Sequence, residues 1–214
     1  MVKGLKSAAS LQLLQIAKIN LQHNFIMHIL VGALVLFLTP VLFGITDLDR
    51  FASAVPLERF VALLGPILLT PIFGPEQSSE IDDVVSAKYI GRSVVCAVRI
   101  FCLTGIMAVM ILVFAIYMRE SGCEIPPVLV TGTIADAVFL GSLGMLAGAI
   151  SGNVAVAYML PVMYYTLCMG MGNKLGSFYL FAMEEGNYAG KPRMLIIGIL
   201  LAAVSVWIRE MKKR

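Results

Sequence analysis

Glu76-Gln-Ser-Ser-Glu-Ile-Asp-Asp-Val-Val-Ser-Ala-Lys-Tyr-Ile-Gly-Arg92 is a polar segment with helix-forming spacing, set between two runs that are almost purely apolar. Ser79 followed by Asp82 is the Ser-x-x-acid pattern of a helix start, and Gly91 supplies a stop. Ile81, Val84, Val85 and Tyr89 recur at helical spacing and share one face. Glu80, Asp82, Asp83 and Ser86 fall on the rest of the surface. Glu76 and Gln77 lead into the segment and Arg92 leaves it. A short amphipathic helix between two membrane spans can lie on lipid or offer its face to another protein. Helices that bind anionic lipid favour Lys and Arg, whereas this one carries three acids against Lys88. It reads as a docking helix for a soluble partner.

The apolar runs decide the class. Of 214 residues, 59% are hydrophobic and 14% charged, and the mean hydropathy is +0.91. A soluble domain has about a quarter of its residues charged, so this chain has too little polar surface to cover a globule in water. The runs suit helices crossing a ~30 Å hydrocarbon core, which needs about 20 residues each. The short alternating segments of a membrane β-barrel are absent. The expected fold is therefore all-α, one polytopic membrane domain over residues 1–214.

The remaining totals exclude several chemistries. A net charge of +3, without one basic patch, gives no sign of nucleic acid. Cys96, Cys102, Cys123 and Cys168 are scattered without a CxxC pair, so free thiols are expected. His23 and His28 lie five apart and miss the i, i+4 spacing of a helical metal pair. No GxxxxGK[ST] sequence occurs, so the chain has no P-loop of its own. No catalytic residues, cofactor or metal site are assigned.

In chain order, residues 4–22 mix leucines with Lys6, Lys18 and amides at near-helical spacing, which predicts an interfacial helix. A cleaved signal peptide is the weaker alternative, because no clear small-residue cleavage site follows the apolar run. The first span is expected over about 25–45, followed by a polar loop with Asp47, Asp49, Arg50 and Glu58. The second, over about 60–73, is short and holds Pro66 and Pro71, which remove backbone donors. The third covers about 94–118. After Ser151-Gly-Asn153, a tight turn, the fifth runs from about 154 to 171, interrupted by Pro161. The stretch 173–192 is too polar to cross, but its aromatic centre suits dipping into one face of the membrane. The sixth span is expected over 194–208.

The fourth span contains Asp136, and an intramembrane acid is a functional hypothesis by default. Thr133-Ile-Ala-Asp136 also matches a capping box, which would start the helix at Ile134 and put Asp136 in its first turn near the interface. The cap is the favoured reading. Gly144, Gly148 and Gly152 follow at four-residue intervals, with Gly141 nearby. Such spacing lets helix backbones approach closely, within the subunit or between subunits.

Six spans put both termini on one side. That side would hold ten Lys and Arg, among them Lys88, Arg99 and the C-terminal cluster, against six on the other. The positive-inside rule then places both termini and the 76–92 helix in the cytoplasm.

This order of parts resembles the ABC-2 type permease family, the membrane subunits of many bacterial ABC exporters. The strongest match is Pro71-Ile-Phe-Gly-Pro-Glu76-Gln77 followed by the acidic helix and Lys88-Tyr-Ile-Gly-Arg92, which is similar to that family's coupling helix between spans two and three. Weaker matches are 142–157 and Phe178-Tyr-Leu-Phe181. The acidic Glu80-Ile-Asp-Asp83 departs from the more neutral stretch often seen there. The resemblance implies a non-catalytic permease subunit in a cell membrane. It also implies a separate cytoplasmic ABC ATPase, which binds the ATP and docks on 76–92, and a second permease chain, identical or related. Cargo would be a hydrophobic peptide, a drug or a small amphiphile.

Two other classes compete. An ion-coupled secondary transporter needs titratable groups or broken helices near mid-membrane, and only Asp136 and Arg99 come close in the sequence. A non-transporting immunity or scaffold protein is compatible with the composition. A membrane enzyme is least supported, since no acids, His or Cys gather at one membrane level.

Overall fold

The computed structural model describes residues 25–77 and 92–212. Among them the chain is all-helical, without strands, and six helices are long and apolar enough to cross a membrane. The interfacial helix expected over 4–22 and residues 78–91 of the docking segment lie outside the described residues.

Helix α1 covers Ile26–Phe43. The second span is segmented: α2 (Arg50–Arg59), a 3-10 turn (Val61–Leu63), α3 (Leu64–Leu69) and a 3-10 stretch (Thr70–Gln77). Then follow α4 (Arg92–Glu120), α5 (Pro127–Ser151) and α6 (Val154–Met171). A 3-10 stretch (Gly172–Phe178) and irregular chain lead into α7 (Lys191–Met211). Successive spans alternate in direction. The loops 44–49 and 121–126 meet at one end, where Asp47 N–H donates to Ser121 O and Glu124 N–H to Leu48 O. At the opposite end Lys212 Nζ donates to Ile150 O.

The second span is longer than its apolar run, reaching from Arg50 to Gly74. Asp49 caps it by accepting from Ala52 N–H at 2.9 Å, so the acidic loop expected before Phe60 is largely helix. Ala54, Leu57, Val61, Leu64 and Leu68 continue one buried stripe through it. Its breaks follow its prolines. Pro66 falls in the first turn of α3 and Pro71 in the first turn of the next 3-10 segment, where the missing N–H costs least. Pro161 does not interrupt the fifth span, because α6 is one helix through it.

Burial separates an inner pair of helices from an outer ring. In α5, 72% of residues in the apolar stretch are buried and in the second span 67%, against 11% in α1 and 17% in α6. In lipid no hydrophobic force drives apolar helices together, so close packing must do so, and small residues permit it. The glycine ridge supplies that contact inside the subunit. A Cβ at Gly141 would lie 2.7 Å from Leu69 Cδ1 and 2.8 Å from Gly65 O, and one at Gly144 would strike Thr70. From the other side, a Cβ at Gly65 would strike the Ala137 backbone. Gly148 faces Ala157 of α6, and Gly152 ends α5 at φ +69 in the left-handed region. On the far face of α5, Gly198 of α7 brings the Phe139 backbone within 3.1 Å of its would-be Cβ.

Candidate functional site: a buried ion cluster under the 172–190 segment

Helix α5 does not start at Ile134. The Pro126-Pro127 pair starts it, proline at the first helical position needing no N–H partner. Thr133 then sits inside the helix and its hydroxyl donates back to Leu129 O at 2.8 Å. The capping-box reading of Asp136 is therefore corrected. Asp136 lies in the helix interior and is fully buried.

Its partner is Lys191. The last span begins at Lys191, where Pro192 in the first turn marks the start, three residues before the apolar run. Lys191 Nζ donates to Asp136 Oδ2 at 2.6 Å and to Leu180 O at 2.5 Å, and it lies 2.5 Å from Glu58 Oε1. Those three contacts use the three donors of an ammonium. Glu58 comes from α2, is fully buried, and accepts from Met183 N–H at 2.9 Å and Glu184 N–H at 3.0 Å. Acids do gather at one level after all, drawn from the second and fourth spans around a cation at the head of the sixth. Taking such ions out of water costs several kcal/mol each, which only close pairing and full hydrogen bonding offset.

The cluster holds two carboxylates against one ammonium, a formal charge of −1, and Asp136 Oδ1 has no hydrogen-bond partner. Tyr164 and Cys168 of α6 and Leu180 of the 172–190 segment surround it.

Segment 172–190 closes this end of the bundle. Leu180, Phe181, Ala182 and Met183 are buried. Arg59 forms a two-pronged pair with Glu184, both contacts 2.7 Å. Tyr165 OH donates to Arg59 O at 2.6 Å and Tyr164 OH to Phe178 O. Phe181 packs edge-on against Tyr165 and Tyr179. Arg193 donates to Ser177 Oγ at 2.9 Å, and Arg50 donates to Tyr188 OH at 3.0 Å. Gly172, Gly176 and Gly186 take positive φ, which lets this stretch fold back without regular structure.

Of the docking residues, Glu76 and Gln77 end the 3-10 stretch that completes the second span, and Arg92 opens α4. Glu80, Ile81, Asp82, Asp83, Val84, Val85, Lys88 and Tyr89 lie outside the described residues. Gly141 and Gly144 approach the second span and Gly148 faces Ala157, whereas Gly152 is the left-handed cap that ends α5. Cys123, in the loop 121–126, is buried at 4% exposure, and Cys96 is buried too.

Glu58 and Lys191 had legible signals that the span boundaries hid. The buried stripe at 54, 57, 61, 64 and 68 runs straight past Glu58, and Pro192 flags a helix start at Lys191. Among the described residues, no group of three or more His, Cys, Asp or Glu could hold a metal ion. Comparison with protein-family models, with curated proteins and with solved structures finds no match to this chain.

Proposed function

We propose that this chain is the permease subunit of an ATP-driven exporter, non-catalytic itself, resident in a cell membrane with both termini cytoplasmic. A separate ATPase docks on 76–92, and a second permease chain completes the path. Cargo is a hydrophobic peptide, drug or small amphiphile.

One observation carries the reading. The second span joins the proposed docking segment directly to the closure at the other end. Its Thr70–Gln77 stretch runs into 76–92, while its Glu58 holds the backbone of Met183 and Glu184. Between these ends it is buried and packed backbone to backbone on α5. A push at one end of such a span has little freedom to dissipate before it reaches segment 172–190. The cluster at the far end is spent on holding that segment.

The test is affinity purification from native membrane. A P-loop ATPase should copurify in fixed ratio with the chain. Replacing Val84 and Val85 together with Asp should lower that affinity on the order of a hundredfold, by putting charge into a buried contact. Reversing Asp82 and Asp83 to Lys should give a smaller, salt-sensitive loss, as rim charges do. Absence of any such ATPase from the intact complex overturns the proposal.

The excess carboxylate of the Glu58–Asp136–Lys191 cluster favours one second reading, an ion-coupled carrier. It is separated by reconstituting the chain alone in vesicles. Proton or cation flux that needs no ATPase, and that Asp136→Asn abolishes, would select the carrier.

A further inference from the structure

Within the ion cluster, Asp136 is the member with an oxygen left over. Its Oδ2 accepts from Lys191 Nζ at 2.6 Å, while its Oδ1, fully buried, has no hydrogen-bond partner among the described residues. Lys191 has committed its three donors to Asp136, Glu58 and the Leu180 carbonyl. Glu58 accepts a backbone N–H at each oxygen, from Met183 at Oε1 and from Glu184 at Oε2. From α6, Tyr164 and Cys168 face Asp136, and the Tyr164 hydroxyl donates to Phe178 O. Tyr179, Arg59 and Glu184 stand at the rim, on the Glu58 side. Among the described residues Lys191 is the cation paired with Asp136, so the buried charge is one negative in excess.

What cancels that excess must fit a single oxygen. A divalent cation gathers about six oxygen ligands, and the described residues offer no group of three or more His, Cys, Asp or Glu. Water needs about two to four polar partners and leaves the charge in place. A proton needs one lone pair and removes the charge. Hydrogen bonds to a carboxylate favour its ionised form, and Glu58 has a backbone donor at both oxygens. The bare oxygen of Asp136 is therefore where the proton goes. We propose, on the reading that segment 172–190 closes a path through this subunit, that Asp136 Oδ1 is a proton-binding site, filled while the segment is closed and emptied when it opens. Opening lets water reach the cluster, and water supports an ionised carboxylate that the dry site does not. The closed state holds one proton more than the open state, so it loses ground as pH rises. The open state gives up its proton above the ordinary carboxylate range, about pH 4, so the dependence runs through neutrality. The proton enters and leaves on the segment side, whereas in an ion-coupled carrier it must cross the membrane.

Amide exchange of the purified chain in detergent tests this, read at Met183 and Glu184 and corrected for intrinsic exchange rates. The opening constant should rise about tenfold per pH unit through neutrality, the slope of one linked proton. Sodium at fixed pH should not change it. Asp136→Asn, neutral at every pH, should keep the segment protected and lose the slope, with unchanged exchange over 141–149 of α5 showing that it folds. An infrared readout needs no variant. At neutral pH the native chain should show a carboxylic-acid carbonyl band that isotope-labelled aspartate shifts and isotope-labelled glutamate does not. No ATPase takes part in either measurement, so failure here is distinct from failure of the docking assignment. A flat pH profile, a slope that survives Asp136→Asn, dependence on sodium in place of pH, or absence of the aspartate band would each overturn the proposal.

Discussion

Lys191 Nζ lies 2.6 Å from Asp136 Oδ2, a contact between residues 55 apart in sequence that joins the head of the last span to the interior of the fourth. Both side chains are withdrawn from solvent, so Asp136 depends on Lys191 for its charge to be tolerated, and Lys191 depends on Asp136 and Glu58 together. Lys191→Met should therefore strand two carboxylates and cost about 3–5 kcal/mol, as removing one member of a buried ion pair does. Thermal unfolding in detergent measures it. Combining Lys191→Met with Glu58→Gln and Asp136→Asn removes the charges together and should recover more than half of the loss.

The two carboxylates that hold segment 172–190 should differ sharply in effect. Glu58 is buried and accepts two backbone N–H groups, whereas Arg59, the partner of Glu184, is 42% exposed. Hydrogen bonds to a charged group contribute roughly 1.5–3 kcal/mol, so Glu58→Ala should speed amide exchange at Met183 and Glu184 by tenfold or more. Glu184→Ala removes a partly exposed pair worth about 1 kcal/mol or less and should leave those amides within a few-fold of wild type.

Glycines on α5 and α6 should split by what faces them. Gly144→Ala drives a methyl into Thr70 and should destabilise by about 1–3 kcal/mol, the usual cost of overpacking. Gly170→Ala, with nothing within 4 Å, should be neutral or slightly stabilising because alanine is the better helix former. Thermal stability of the two variants in one detergent decides the matter.

Sidedness is tested best away from the native thiols, since Cys96 and Cys123 are both buried. In a background with all four cysteines replaced by serine, Asn187→Cys and Asn153→Cys place exposed thiols at opposite ends of the bundle. A membrane-impermeant maleimide on intact cells should label Asn187→Cys and spare Asn153→Cys. The reverse pattern would invert the proposed orientation, and with it the location of the ATPase.

The apolar runs alone determined that the described chain is helical, with six helices long and apolar enough to cross a membrane, because span length and the need to satisfy backbone polar groups in lipid are local requirements. Gly152-Asn153 marks its element end for similarly local reasons of capping and φ; Asp49 and Pro126-Pro127 do so too, although the sequence spacing starts both helices later. The close approach at Gly141, Gly144 and Gly148 was legible too, but its partner was not. Spacing says that a backbone can approach, and only the fold shows that Gly65 and Thr70 of the second span fill that face. The ion cluster lay further out of reach. Glu58, Asp136 and Lys191 each look like an interfacial charge in its own neighbourhood, and Thr133-x-x-Asp136 reads alike at a helix start and inside a helix. What separates these cases is whether an opposite charge waits in the interior, and that depends on which spans become neighbours. Tertiary structure decided it, because the cost of burying an ion is met only by partners from other parts of the chain.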